Sequence, residues 1–334
     1  LENGGGEVVG NSGLFYDADV IEYHAEHDHI LVQFIADSEF ATSRAVVETW
    51  KHIRNQGNNS ERNILDITKI YTGFQSADKR NWMGFLDGIS NIKAERRIES
   101  ISVDKSSLPP PDIWMLGGTY LAFMSLAIDL ASWEKVNVSE QELIIGRDKE
   151  TGCPLVGVDN LGRPIKDSRC PRRGTYEVIE SGNEQFRDHP PFGYQKNRPF
   201  GVKDEILKTS HIGLTRPVYP KKDTKILPQI YRQGFQFFEP IGHKDPFRLG
   251  LNFISFQKST KTLFDVLKYG SVKSNTRIGH KVPTFNDFIS VRHVGLFAVP
   301  PVNKIEFFPG ESIFTNLLSS NHSRYQYRLN RSMD

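Results

Sequence analysis

The order of apolar runs along this 334-residue chain predicts an α+β protein. Three observations carry the prediction. Apolar stretches of strand length stand at 29–36 (HILVQFIA), 119–128, 249–257 and 294–299. Helical patterns follow strands in both halves, at 39–55 and 260–269. Between the halves, residues 106–112 (SSLPPPD) hold three prolines, which no regular element accommodates. Strand, helix and strand thus occur twice, as expected of two similar α+β units. The expected layout is a flexible Gly/Asn-rich N-terminus over 1–13, a first unit over 14–111 and a second over 112–334.

The elements follow in order. The run at 29–36 reads as a buried strand. Ser38 or Thr42 caps the next helix, whose apolar positions are Phe40, Val46, Val47, Trp50 and Ile53. Residues 62–76 alternate apolar and polar and read as a strand. Gly117-Gly118 opens a long strand at 119–128. Ser139-x-x-Glu142 has capping-box spacing for a short helix ended by Gly146. Residues 147–198, rich in Gly, Pro, Asp and Arg, read as a long loop. A helix-like stretch at 203–208, an apolar strand-like run at 229–238, a strand at 249–257, a helix stopped by Gly270 and a final strand at 294–299 complete the chain.

Composition excludes several classes. Forty-two Lys+Arg against 40 Asp+Glu leave a net charge of +2, so no nucleic-acid partner is expected. No apolar run approaches the roughly 20 residues of a membrane span, since 120–130 is interrupted by Ser125 and Asp129. Two cysteines, Cys153 and Cys170, exclude a disulfide framework and a multi-Cys zinc site. The chain opens at Leu1 without a signal-peptide pattern, which reads as a start inside a longer protein and favours the cytoplasm. The sequons Asn137-Val138-Ser139 and Asn321-His322-Ser323 decide nothing.

Four places offer chemistry. His24, His27 and His29 are close in sequence but lack helical ligand spacing, and a solvated run ahead of a strand accounts for them. His211 ends the helix-like stretch and precedes Arg216-Pro217; alone it is either structural or a ligand. Asp87 stands between Gly84 and Gly88, which permit close backbone approach, though a plain Asp-Gly turn has the same pattern. Arg232 interrupts an apolar run, as either a buried arginine needing an anion or an edge residue facing solvent.

Taken together, these segments resemble the dye-decolourising (DyP-type) haem peroxidase family. Gly84-Phe85-Leu86-Asp87-Gly88-x-x-Asn91 is similar to its GxxDG signature in extended form. Gly117-Gly118-Thr119-Tyr120-Leu121, Glu140-Gln141-Glu142 and Ile145-Gly146-Arg147 follow in the family's order. Ser210-His211-Ile212, Ile230-Tyr231-Arg232-Gln233-Gly234-Phe235, Gly250-Leu251-x-Phe253 and Phe297-Ala298-Val299-Pro300-Pro301 do so as well. The resemblance spans roughly residues 14–315. It implies two ferredoxin-like units with antiparallel sheets packed together, of the dimeric α+β barrel type, and one haem b per chain. His211 would be the axial iron ligand, with Asp287, or less well Asp265, as the carboxylate behind it. Asp87 and Arg232 would be catalytic on the opposite face. Leu251 and Phe253 would wall the pocket, and Asn91 and Arg216 would also contact the cofactor. The implied substrates are hydrogen peroxide and a small organic donor such as a dye or phenol, with activity at acidic pH because the base is a carboxylate. A homo-oligomer is compatible with this.

The sequence departs from the family in places. Gly213-Leu214 stand where two arginines are common after the histidine, and Gln233 stands where a second arginine often follows Arg232. The segment before Gly84 is short for a complete first unit. The alternatives are therefore a non-enzymatic haem-handling protein and a truncated, inactive homologue.

Overall fold

The computed structural model describes residues 28–55, 65–88, 91–92, 94–106, 112–158, 164–166, 210–215, 230–241, 246–270, 275–277, 280–302 and 309–311. Two compact units emerge, Glu22–Gly73 and Phe74–Asp334 together with Leu1–Ile21.

In the smaller unit, helix α1 (Glu39–Asn55) forms where the apolar spacing predicts it. Ser38 caps it, its Oγ accepting from the Ala41 N–H at 3.3 Å, while the Thr42 hydroxyl donates to the Glu39 carbonyl. The strands expected at 29–36 and 62–76 are not seen as strands. Among the described residues there, Phe74 forms an isolated bridge and no strand, and Ile30, Val32, Ile35, Leu65 and Ile70 are exposed. Alternation creates a strand only when a second strand takes up its backbone groups.

The larger unit contains β1 (Thr119–Ile128), a ribbon of β2 (Leu155–Val158) with β3 (Pro164–Lys166), then β4 (Tyr231–Pro240) and β5 (Phe247–Gln257). A second ribbon pairs β6 (Asn275–Arg277) with β7 (His280–Val282), and β8 (Ile289–Val299) closes the unit. Its described helices are α2 (Ala94–Ile101), α3 (Leu130–Trp133), α4 (Val138–Ile145), α5 (His211–Thr215) and α6 (Thr260–Gly270). The main sheet has the order β4-β5-β1-β8, antiparallel throughout. Helices separate β1 from β4 and β5 from β8, so this is the β-α-β-β-α-β arrangement of a ferredoxin-like unit. Among the described residues it is the one such sheet; the first half supplies no second.

Helix α4 ends at Gly146 as expected, with φ +91°, but its cap is Asn137 rather than Ser139. The Asn137 side chain accepts from the Glu140 N–H at 3.0 Å. Glu142 is instead buried and accepts from the Lys149 N–H. The long loop expected from 147 contains the β2–β3 ribbon; residues 167–198 and the stretch at 203–208 lie outside the described residues. In its first turn Cys153 is buried and disulfide-bonded.

Residues 74–106 fold onto the C-terminal sheet. Phe74 exchanges both backbone bonds with Gln236 on the open edge of β4, and the Trp82 indole donates to the Phe237 carbonyl at 3.1 Å. Val103 exchanges bonds with Gly117 and Gly118 at the mouth of β1. Contacts therefore divide after Gly73 and not at the prolines near 109–111, which lie outside the described residues. The core joins both segments: Met83 and Phe85 pack with Trp133, Ile144, Ile145 and Phe288. No helix among the described residues is long and apolar enough to cross a membrane.

Candidate functional site

Sheet register places one group of side chains. Arg232 pairs with Ser255, Gly234 with Phe253 and Gln236 with Leu251. Phe253 and Leu251 pair onward with Met124 and Leu126 on β1. Directly opposed residues share a face. Arg232, Phe253 and Leu251 therefore stand on one face of the sheet, beside the gap left by Gly234. Phe253 and Leu251 are half-buried.

The Asp87 turn is laid across that face. Its backbone is held by side chains from three directions. Asn81 Oδ1 accepts from the Met83 and Phe85 N–H groups at 3.1 Å each. The Arg80 guanidinium donates to the carbonyls of Gly84, Lys149 and Glu150 at 2.8, 2.7 and 2.7 Å. Buried Gln236 donates to the Arg80 carbonyl at 2.7 Å. Met83 and Phe85 are sunk in the core, and Gly84 and Gly88 take positive φ, +84° and +75°. Between them Asp87 is exposed, its N–H bonded to the Lys79 carbonyl and its Oδ1 accepting from Gly88 N–H at 2.6 Å. A Cβ on Gly234 would lie 2.9 Å from Asp87 Oδ2, so the carboxylate rests against β4 where a side chain is missing. The Asp87 charge supports the charge of Arg232, whose guanidinium is otherwise disfavoured by burial.

His211 begins α5. Fully buried Ser210 precedes it and accepts from the Gly213 N–H at 3.1 Å. The imidazole packs on Phe285 with centroids 4.2 Å apart, and Phe285 borders the core that holds Met83 and Phe85. Burial pushes the His211 pKa down to about 4, and the charges of Arg232 and Arg147 push the same way. The imidazole is thus neutral at ordinary pH, the form that binds a metal. The charge of Arg232 reaches His211 and that of Asp87 reaches Arg232, so the three expected residues lie within electrostatic range of one another in this chain.

The other expected residues are held by local bonds or lie outside the described residues. Asp287 is exposed and caps a 3₁₀ turn, its Oδ2 accepting from the Thr284 N–H at 2.6 Å and the Thr284 hydroxyl at 3.1 Å. Asn91 is buried and bonds to the backbone of Arg232. The side chain of Asp265 and all of Arg216, His24 and His27 lie outside the described residues, while His29 is exposed in the smaller unit. Two residues named in the motifs but given no role there also bear on the site. Arg147 acts on His211, and Gly234 opens the gap for Asp87. A glycine inside a strand pattern was the available signal for the second.

A neutral imidazole, half-buried guanidinium charge, a carboxylate and an apolar wall suit a ligand that is part metal, part apolar ring and part anion. Comparison with known proteins agrees with this chemistry. The family model described as "Dyp-type peroxidase, C-terminal" matches residues 78–304. The chain is similar to a dye-decolorizing peroxidase of Thermobifida fusca, 34% identical over 225 residues, 67% of this chain and 43% of that protein. It is also similar to a deferrochelatase of Escherichia coli K12, 22% identical over 69% of this chain and 47% of that protein. The chain thus spans less than half the length of these curated relatives. Among solved structures, an oxyferrous/water mixed complex of DtpA from Streptomyces lividans superposes with a TM-score of 0.53 at 20% identity. That match covers 83% of this chain and 64% of DtpA.

Proposed function

Because the chain belongs to the DyP-type peroxidase family, we propose that it is a haem-dependent peroxidase that reduces hydrogen peroxide and oxidises a small organic donor. The observation that carries this reading is the Asp87 carboxylate seated against Gly234 of β4, two positions from Arg232, with His211 packed on Phe285 and within range of the Arg232 charge. These residues fit the cofactor. His211 would ligate the iron, Arg147 and Arg232 would offset the charge of the propionates, and Leu251 and Phe253 would border the ring. When bound, haem supplies a redox-active iron that activates peroxide.

The protein's own part is proton transfer and charge stabilisation. Ionised Asp87 takes a proton from the bound peroxide and returns it to the outer oxygen, which leaves as water. Arg232 stabilises negative charge developing on that oxygen, and its burial strengthens the effect by excluding competing water. Leu251 and Phe253 restrict the pocket to small molecules, so a bulky dye gives up its electrons from outside it. Asp87→Asn should lower the rate of peroxide-driven dye oxidation by roughly 10²–10⁴-fold, the usual range for a lost acid–base group. Retained haem with an unchanged rate would sink the assignment.

A second reading is a haem-handling protein that does not turn over peroxide. Similarity to a protein named deferrochelatase favours it. Replacing both Asp87 and Arg232 separates the two: peroxide turnover is lost under the first reading, and function is unchanged under the second.

A further inference from the structure

We propose that Asn91 and Gly234 are positioning residues that fix the register between the Asp87 loop and strand β4, and so set where Asp87 and Arg232 meet. The inference rests on the peroxidase reading for its consequence, but not for its geometry.

Strand β4 is at the edge of the sheet, with β5 on one side. On the other side Asn91 does what a neighbouring strand would do. Its Nδ2 donates to the Arg232 carbonyl at 2.6 Å, and its Oδ1 accepts from the Arg232 N–H at 3.1 Å. A side-chain amide can present a donor and an acceptor side by side, so it closes both backbone bonds of a single residue. The residue it selects is Arg232. Two positions along, Gly234 supplies the second contact point, because any side chain there would meet Asp87 Oδ2 at 2.9 Å and Leu251 Cδ1 at 3.2 Å. The Gln75 amide donates to the Gly234 carbonyl at 3.4 Å, extending the same substitution of side chains for a strand. Asn91 is buried and Asp87 exposed, four positions apart in the sequence. The chain is therefore pinned at Asn91 to the backbone of Arg232, and the Asp87 carboxylate seats in the notch beside it. Asn91 acts through Arg232 and does not need to touch a cofactor.

The test uses Asn91→Ala, Asn91→Asp and Gly234→Ala with two readouts. In the haem-free protein, hydrogen exchange at the Arg232 N–H should quicken about tenfold in Asn91→Ala, as expected for one lost hydrogen bond, with exchange at Phe123 in central β1 unchanged. Asn91→Asp keeps the acceptor for the Arg232 N–H but sets a second oxygen against the Arg232 carbonyl, so it should restore part of the protection. It decides the question if Asn91→Ala also quickens Phe123. In the haem-loaded protein, fluoride is the probe. Asn91→Ala and Gly234→Ala should take up haem as the wild type does but bind fluoride about tenfold more weakly, since the guanidinium and carboxylate no longer meet in register. Unchanged exchange at Arg232 together with lost haem uptake in Asn91→Ala would overturn the proposal and make Asn91 a cofactor contact. Unchanged fluoride affinity in both variants would also overturn it. If the wild type takes up no haem, the peroxidase reading fails, and the exchange measurement still decides the clamp.

Discussion

The indole N–H of Trp133 donates to the carbonyl of Met83 at 3.2 Å, tying the underside of the Asp87 turn to the first helix after β1. Trp133 is fully buried, with the edge of its ring system against Phe85 and Phe288 at 6.2 and 5.0 Å between centroids. Trp133→Phe keeps much of the packing but leaves that carbonyl without a donor, and should cost about 1–3 kcal/mol. Trp133→Ala adds a cavity and should cost about 3–5 kcal/mol. Denaturant melts of the haem-free protein would measure both.

Arg80 joins the Asp87 turn to the turn at Lys149 and Glu150 through three carbonyls. Arg80→Met keeps the stem and removes the donors. The expected result is a local loosening of about 1.5–3 kcal/mol, the range for bonds to a charged group. It would be read as faster amide exchange at Gly84 and Asp87 with little change in β1. Dye oxidation should fall with it, because the carboxylate is no longer held.

Gly146 lies behind the His211 helix. Its φ of +91° suits glycine, and a Cβ there would stand 2.6 Å from Ser210 Oγ and 2.7 Å from Ile212 Cγ1. Gly146→Ala should therefore destabilise by more than about 1 kcal/mol and displace α5. Weaker haem uptake than in Gly117→Ala, a glycine of similar φ at the mouth of β1, would be the signature.

His211 should give the haem-free protein a stability term that varies with pH. Its pKa falls from 6.5 to about 4 on folding, so between these values the unfolded chain binds the extra proton. The contribution is complete above about pH 6.5, shrinks as pH falls, and is gone near pH 4; at most it is worth about 3 kcal/mol. Asp129, held below 3.8 by the Ser132 hydroxyl and N–H, loses its contribution only at lower pH. His211→Phe should flatten the stability curve between pH 6.5 and 4 and leave the lower limb intact.

Much of the fold could be read from sequence because one half satisfies its own pattern. Strands β1, β5 and β8 are apolar runs with partners, and α6 stops at Gly270 as expected. The failures at 29–36 and 62–76 share one cause: pattern records the wish for a partner, not its presence. Prolines mark where regular structure stops, whereas the division of contacts after Gly73 depends on what Trp82, Met83 and Asn91 touch. In the site, Asp87, His211 and Arg232 are each ambiguous alone and become legible only through the order of the motifs that hold them. The bonds from Asn91 to Arg232 span 141 positions, and no local pattern encodes them.

The central claim is that His211 holds haem in a peroxidase site. The most direct measurement is a titration of the purified protein with ferric haem, followed by absorbance, in the wild type and in His211→Ala, with peroxide then added to each. The account predicts a saturable 1:1 haem spectrum that changes on addition of peroxide in the wild type, and a weakened, altered spectrum in His211→Ala. Equal haem spectra and equal responses to peroxide in the two proteins would contradict it.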